Sequence, residues 1–216
     1  MTVAAEVAAA ARVLAGLGFV HAFGHVSARG PDGAGVLLTP TSPRLGTLAA
    51  GDLLELDADG RPPRDQAARM PIEAPMHLAV YAGRSDVSAI CRIHAPATAA
   101  WASTGAIPPL LHGFGGMVDP VAVWDDPGLI ATKATARRVA AVLGDNPALL
   151  LRGNGGLIVG ATLDEALARA WCLEDRCRLA LAVGDRARPL TRSELERRRR
   201  WYGAETARLA AWLRMS

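Results

Sequence analysis

Apolar positions along the chain recur with two different periods, and the switches between them mark its elements. Residues 3–17 are alanine-rich and set Val3, Val7, Leu14 and Leu17 on one helical face, with Gly18 as the C-cap. Residues 21–35, with four glycines and a proline, read as a loop or a short strand. Strands are predicted over 36–39, ended by Pro40, and over 53–56, followed by the turn Asp57-Ala58-Asp59-Gly60. Residues 61–71 are polar and carry proline, as a surface loop does. A helix over 72–82 would put Glu73 and His77 four residues apart on one face. A strand over 87–93 runs into His94, and Pro96 opens a short helix containing Trp101.

Residues 105–128 read as a long glycine- and proline-rich loop around His112, with a short strand at 121–124. A helix follows over 132–143, then strands over 148–151 and 157–159 that flank Arg152-Gly153-Asn154-Gly155-Gly156. Thr162 and Glu165 form a capping box that opens a helix to about residue 183. Ser193 and Glu196 form another, opening a terminal helix over about 192–214. Helices and strands alternate irregularly, which predicts α/β layers on a mixed sheet in one domain spanning 1–216.

Composition narrows the setting. With 50% apolar residues the chain can bury a sizeable core, yet no apolar run reaches the length of a membrane span. Glu6 and Arg12 interrupt the first apolar stretch, so it does not read as a signal peptide and a cytoplasmic location is expected. Cys91, Cys172 and Cys177 lack CxxC spacing and read as buried free thiols. The net charge of +3 gathers in Arg197-Arg198-Arg199-Arg200. Glu194, Glu196 and Glu205 surround that run, and aromatics are only 5% of residues, so it reads as a solvated helix face rather than a nucleic-acid or membrane patch.

The residues able to carry chemistry are few. Gly24-His25-Val26-Ser27 could offer backbone N–H groups to an anion but matches neither phosphate-loop pattern. Glu73, His77 and His94 supply a carboxylate and imidazoles, the usual partners in proton transfer. The glycine loop around Asn154 ends a strand, where sites of layered α/β folds often lie.

In order, GHVSAR (24–29), LTPTS (38–42), GDLLELDADG (51–60), IEAPMHLAVYAGRSDVSAI (72–90), His94-Ala95-Pro96 and LLLRGNGGLIVGATLDEAL (149–167) together resemble the class II aldolase/adducin family over roughly residues 5–185. The resemblance implies a three-layer α/β/α fold around a largely antiparallel sheet. It also implies a homotetramer, with small-molecule sites between subunits. Metal-dependent members take two histidines from a His-x-His pair and a third from an Arg-(Asn/Gly)-His-Gly loop, with a glutamate as acid/base. Carried onto this chain, the glutamate is Glu73, the pair becomes Arg92-Ile93-His94, and the third histidine becomes Asn154.

Those departures bear on metal. A catalytic zinc site generally has three good protein ligands and an open position. Arginine has no lone pair to offer, and asparagine offers only a neutral carbonyl oxygen. A guanidinium about 4 Å from a dication repels it by roughly 8 kcal/mol at an effective dielectric of about 20. No tightly bound cofactor is therefore expected. The alternative is zinc, manganese or iron held by His94 with two of Glu73, His25, His77 and His112.

Phosphate-binding members carry a Ser-Ser pair before the glutamate and Gly-Asn in the first glycine loop. Here Pro71-Ile72 and Gly24-His25 stand in their place, so a phosphorylated sugar is not expected. The GHVSAR and LLRG forms look more like the branch of dihydroxyphthalate decarboxylases and related enzymes of aromatic or secondary metabolism. A lyase is then expected, with Glu73, Arg92 and His94 catalytic and with His25, Ser27, Arg29, His112 and Asn154 binding substrate. Two other readings stand beside it: a non-catalytic adducin-like interaction module, and a metal-dependent lyase with a rearranged ligand set.

Overall fold

A computed structural model describes residues 1–31, 33 and 35–215. The elements run α1 (Val3–Gly16), β1 (His25–Arg29), β2 (Val36–Leu38), β3 (Leu54–Leu56), α2 (Ala74–Gly83), β4 (Ala89–Ile93) and α3 (Pro96–Ala102). They continue with β5 (Val121–Trp124), α4 (Lys133–Leu143), β6 (Ala148–Leu151), β7 (Gly155–Gly160), α5 (Leu163–Val183), α6 (Arg192–Arg199) and α7 (Tyr202–Leu213). The strands form one sheet in the order β3-β2-β1-β4-β7-β6-β5. Every neighbouring pair is antiparallel except β5 with β6.

Strand alternation divides the interior in two. Val26, Ala28, Cys91, Ile93, Leu150 and Ile158 face one side, where α1, α3 and α5 cover them and α7 packs on α5. Leu38, Leu54, Ile90, Leu149, Leu157 and Val159 face the other, beneath α2 and α4. The result is the three-layer, mostly antiparallel architecture that the sequence led us to expect. All three cysteines are buried and free. Among the described residues no helix is long and apolar enough to cross a membrane.

Residues 21–35 are less loop-like than their composition implies, because His25–Arg29 pair with both β2 and β4. The strand at 157–159 extends to Gly155–Gly160. The Thr162–Glu165 capping box is half made: Thr162 Oγ1 accepts from Glu165 N at 3.1 Å, while Glu165 Oε2 accepts from Ala161 N at 2.6 Å. The predicted terminal helix is two helices, broken at Arg200-Trp201. Its capping box belongs to Thr191 and Glu194, not to Ser193 and Glu196. The arginine run lies on this helical surface, where Arg198 meets Glu205 at 2.8 Å and Arg199 meets Glu196 at 3.5 Å.

Candidate functional site

The site grows from one polar strip in an otherwise apolar interface. On β1 the residues facing α2 are His25, Ser27 and Arg29, because Val26 and Ala28 point to the opposite face. Glu73, which the structure places just before α2 as its N-cap residue and not within the helix, and His77 and Tyr81 on α2 recur every four residues and meet that strip. Antiparallel pairing sets His25 directly opposite Arg92 on β4, so the two side chains rise from neighbouring positions on the same face, about 5 Å apart at Cβ.

At one end of this strip, Arg92 Nε lies 3.3 Å from Glu73 Oε2, with Arg92 fully buried and Glu73 only 4% exposed. The Nε–H is poorly directed at the carboxylate, so the contact is an ion pair more than a hydrogen bond. Arg92 Nη1 donates to Ile93 O at 2.8 Å, and Nη2 has no hydrogen-bond partner among the described residues. Ile130 N approaches the other Glu73 oxygen at 3.4 Å. Burial lowers the affinity of Arg92 for its proton, and Glu73 opposes that effect.

Three imidazoles surround the pair. His25 and His77 meet edge to face at 5.7 Å between ring centroids. Burial first, and then Arg92, holds His77 down to about 3. Burial, reinforced by His77 and Arg92, keeps His25 well below the ordinary histidine value. His94, half-buried beyond the end of β4, is lowered to about 4 by burial and Arg92. At neutral pH the three rings are thus neutral around the Arg92–Glu73 ion pair. Phe23 stands 6.1 Å from the His94 ring.

Two glycines make this geometry possible. Gly24 has φ +111°, and a Cβ there would come within 3.0 Å of Arg92 O. Gly155 has φ +85°, and its Cβ would run into Ile93 O. The second brings the Asn154 loop against Ile93-His94, where β4 and β7 pair. A cavity of about 1090 Å³ opens beside the cluster, with His21, Phe23, His25, Thr41, Arg44 and Ile72 on its wall.

Not every candidate gathers here. Ser27 is fully buried and bonds to His77 Nδ1 and Tyr81 OH, both at 2.8 Å, so it faces the α2 interface and not the cavity. Arg29 donates to the carbonyls of Val87, Tyr81 and Arg84 and stacks 5.0 Å over the Tyr81 ring, which makes it a clamp between β1 and α2. His112 sits 2.9 Å from Asp175 on α5, beside Phe114, in a separate cluster. Tyr81 escaped the sequence reading, although its four-residue spacing from His77 is a visible signal.

The comparisons meet this geometry directly. The family model for the class II aldolase and adducin N-terminal domain matches residues 5–181. The chain belongs to the class II aldolase and adducin family. It is 34% identical over 207 residues to a probable bifunctional methylthioribose-1-phosphate isomerase/methylthioribulose-1-phosphate dehydratase from Nocardia farcinica, covering 85% of this chain and 37% of that one. It is 30% identical over 194 residues to a 3,4-dihydroxyphthalate decarboxylase from a Terrabacter strain, covering 82% and 79%. An aldolase II superfamily protein from Pseudomonas syringae superposes with a TM-score of 0.82 at 23% identity, over 97% of this chain and 89% of that one; this likeness shows the fold. The chain spans 37% to 57% of the length of several curated relatives it matches.

Family members commonly hold a divalent metal, so the donor set is a test of fit. No group of three His, Cys, Asp or Glu side chains able to hold an ion gathers among the described residues. Arg92 brings a buried guanidinium into this cluster, where it is ion-paired to Glu73 and has no lone pair to offer an ion. The residues present do not fit the group. Restoring the set should reverse this: the double variant Arg92→His/Asn154→His is expected to take up zinc measurably more tightly than the wild-type chain, read by elemental analysis after dialysis. Equal zinc content in the two proteins would contradict the reading of Arg92 as the obstacle.

Proposed function

We propose that the protein is a class II aldolase-like lyase acting on a small, non-phosphorylated carboxylated or hydroxylated compound. In this reading Arg92 supplies the fixed positive charge that a metal supplies in relatives. The observation that carries it is the buried Arg92–Glu73 pair with a free Nη2, set behind His25 at the wall of a cavity large enough for a small molecule.

C–C cleavage, decarboxylation and proton transfer next to a carbonyl share one need. Each leaves an electron pair on a carbon whose neighbouring carbonyl oxygen must take up the charge. A fixed guanidinium in a dry site stabilises that oxygen, or holds a substrate carboxylate by directed N–H donors. In a decarboxylation, the bond to the carboxylate carbon breaks, carbon dioxide leaves, and the electron pair moves onto the carbonyl oxygen as an enolate. Glu73 or His94 then takes a proton from water or from a substrate hydroxyl and passes it to the carbon, which restores the carbonyl, and Asn154 donates to the substrate from the β7 side. Small-molecule binding and a homotetrameric assembly belong to the same reading.

The test is a screen of hydroxylated aromatic carboxylates, 3,4-dihydroxyphthalate among them, against sugar phosphates, followed by carbon dioxide release. Glu73→Gln should slow turnover by about 10²- to 10⁴-fold, the usual yield of a positioned acid/base. Turnover should survive a chelator. If Glu73→Gln and Arg92→Met both leave it unchanged, the proposal fails.

The near-complete burial of Arg92 and Glu73 favours a second reading, in which the pair merely fills a vacated site in an adducin-like interaction module. Folded protein with no turnover of, and no binding to, any carboxylate in the screen would favour that reading.

A further inference from the structure

The polar strip between β1 and α2 continues past the Glu73–Arg92 pair. It ends in a hydrogen-bonded series, Tyr81 OH to Ser27 Oγ to His77 Nδ1, each link 2.8 Å. All three residues are buried. His77 Nε2 has no hydrogen-bond partner among the described residues, and neither has Arg92 Nη2. Both side chains are fully buried. His25 lies between them and the cavity: it pairs with Arg92 across the strands, touches the His77 ring, and lines the cavity wall.

Hydrogen-bond chemistry orders this series. A phenol is a stronger acid than an alcohol, so it is the better donor, and the aliphatic hydroxyl oxygen is the better acceptor. Tyr81 therefore donates to Ser27. An imidazole nitrogen lone pair is a better acceptor than a hydroxyl, so Ser27 donates onward to Nδ1 of His77. Bonds running in one direction polarise and strengthen each other. With Nδ1 accepting, the ring proton of neutral His77 must sit on Nε2.

We propose that Tyr81 and Ser27 are positioning residues that fix the His77 tautomer, so that His77 Nε2–H and Arg92 Nη2–H together form a buried two-donor subsite for one carboxylate oxygen of the substrate. This rests on the reading of Arg92 as an anion-binding group and names the substrate group it takes. The charge balance of the cluster favours a carboxylate over a phosphate. Glu73 and Arg92 sum to zero and the imidazoles are neutral, so a carboxylate leaves one uncompensated charge in the buried site and a dianion leaves two, at a greater desolvation cost.

The experiment uses protein labelled with ¹⁵N at histidine and arginine, with formate as the probe. Long-range proton–nitrogen correlation should show His77 protonated at Nε2 in the wild-type chain and in Ser27→Thr. In Ser27→Ala and Tyr81→Phe the two tautomers should mix. Formate should shift the His77 Nε2 and Arg92 Nη signals saturably. Its affinity should fall by about 10- to 100-fold in His77→Phe, as for loss of a hydrogen bond to a charged group. It should fall less in Ser27→Ala and recover in Ser27→Thr. Urea unfolding of each variant separates lost binding from lost fold.

A wild-type His77 protonated at Nδ1 overturns the proposal. So does formate binding that Arg92→Met removes but His77→Phe and Ser27→Ala leave intact; that result keeps the Arg92 reading and removes His77 from it. Inorganic phosphate binding more tightly than formate overturns the substrate class. Formate that shifts no residue overturns the Arg92 reading, and this proposal with it.

Discussion

Glu73→Ala should lower folding stability by about 3–5 kcal/mol, the usual cost of stranding one member of a buried ion pair. The charge left behind is Arg92, fully buried and held by one good hydrogen bond, to Ile93 O. Nothing else among the described residues forms an ion pair with it. Glu73→Leu combined with Arg92→Met should cost much less than Glu73→Ala alone, because the double variant removes both desolvated charges and leaves groups of similar volume. Urea unfolding of the wild-type chain, the single variants and the double variant provides the cycle. Equal losses in the single and double variants would mean that Glu73 is not what compensates the buried guanidinium. The expected pattern, in contrast, marks a pair whose presence at the head of α2 is hard to justify by stability. Groups that weaken a fold in this way are commonly kept for function.

Much of this arrangement is legible in the chain, and the parts that are not have physical causes. The strands β4, β6 and β7 stand out because they are buried on both faces: β6 and β7 read as apolar runs, and β4 does so but for Arg92. The strand β1 does not. Its α2-facing positions are His25, Ser27 and Arg29, and glycines flank it, so it imitates a loop. Once β1 is a strand, period-2 spacing puts those three residues on one face, and the four-residue spacing of Glu73, His77 and Tyr81 supplies the facing strip. Periodicity alone cannot show that Ser27 and Arg29 turn inward to α2 rather than outward to a ligand. That depends on how closely the helix lies on the sheet.

His112 lies apart from the strip for a different reason. It stands in a long connection, and only the pairing of Asp175 and the docking of α5 determine where it ends. The terminal helix is instructive in another way. Thr191–Glu194 and Ser193–Glu196 offer the same capping spacing two residues apart. A tertiary contact, Leu190 N donating to Leu110 O at 2.7 Å, fixes the chain just before Thr191.

Acid should destabilise this protein through the same polar strip. His77 has an ordinary value of 6.5 and is held to about 3 in the fold. For a group whose folded value is depressed, the unfolded chain binds the proton first as pH falls, so the stabilisation is complete above about 6.5 and is lost on the way down towards 3. For this one residue the loss reaches about 2 kcal/mol at about pH 5, growing by roughly 1.4 kcal/mol for each further pH unit until the folded value is reached. His25, shifted the same way, adds to it. Urea midpoints for wild type and His77→Phe at about pH 7.5 and about pH 5 compare the residue's contribution, with His25, whose shift depends in part on His77, carried along with it. The wild-type chain should lose about 2 kcal/mol more than the variant over that interval. Equal losses would show that the ring is hydrated or already charged in the native state. The expected difference would instead establish a ring buried in its neutral form, which is the state in which Nε2–H can donate beside Arg92 without adding a second buried positive charge.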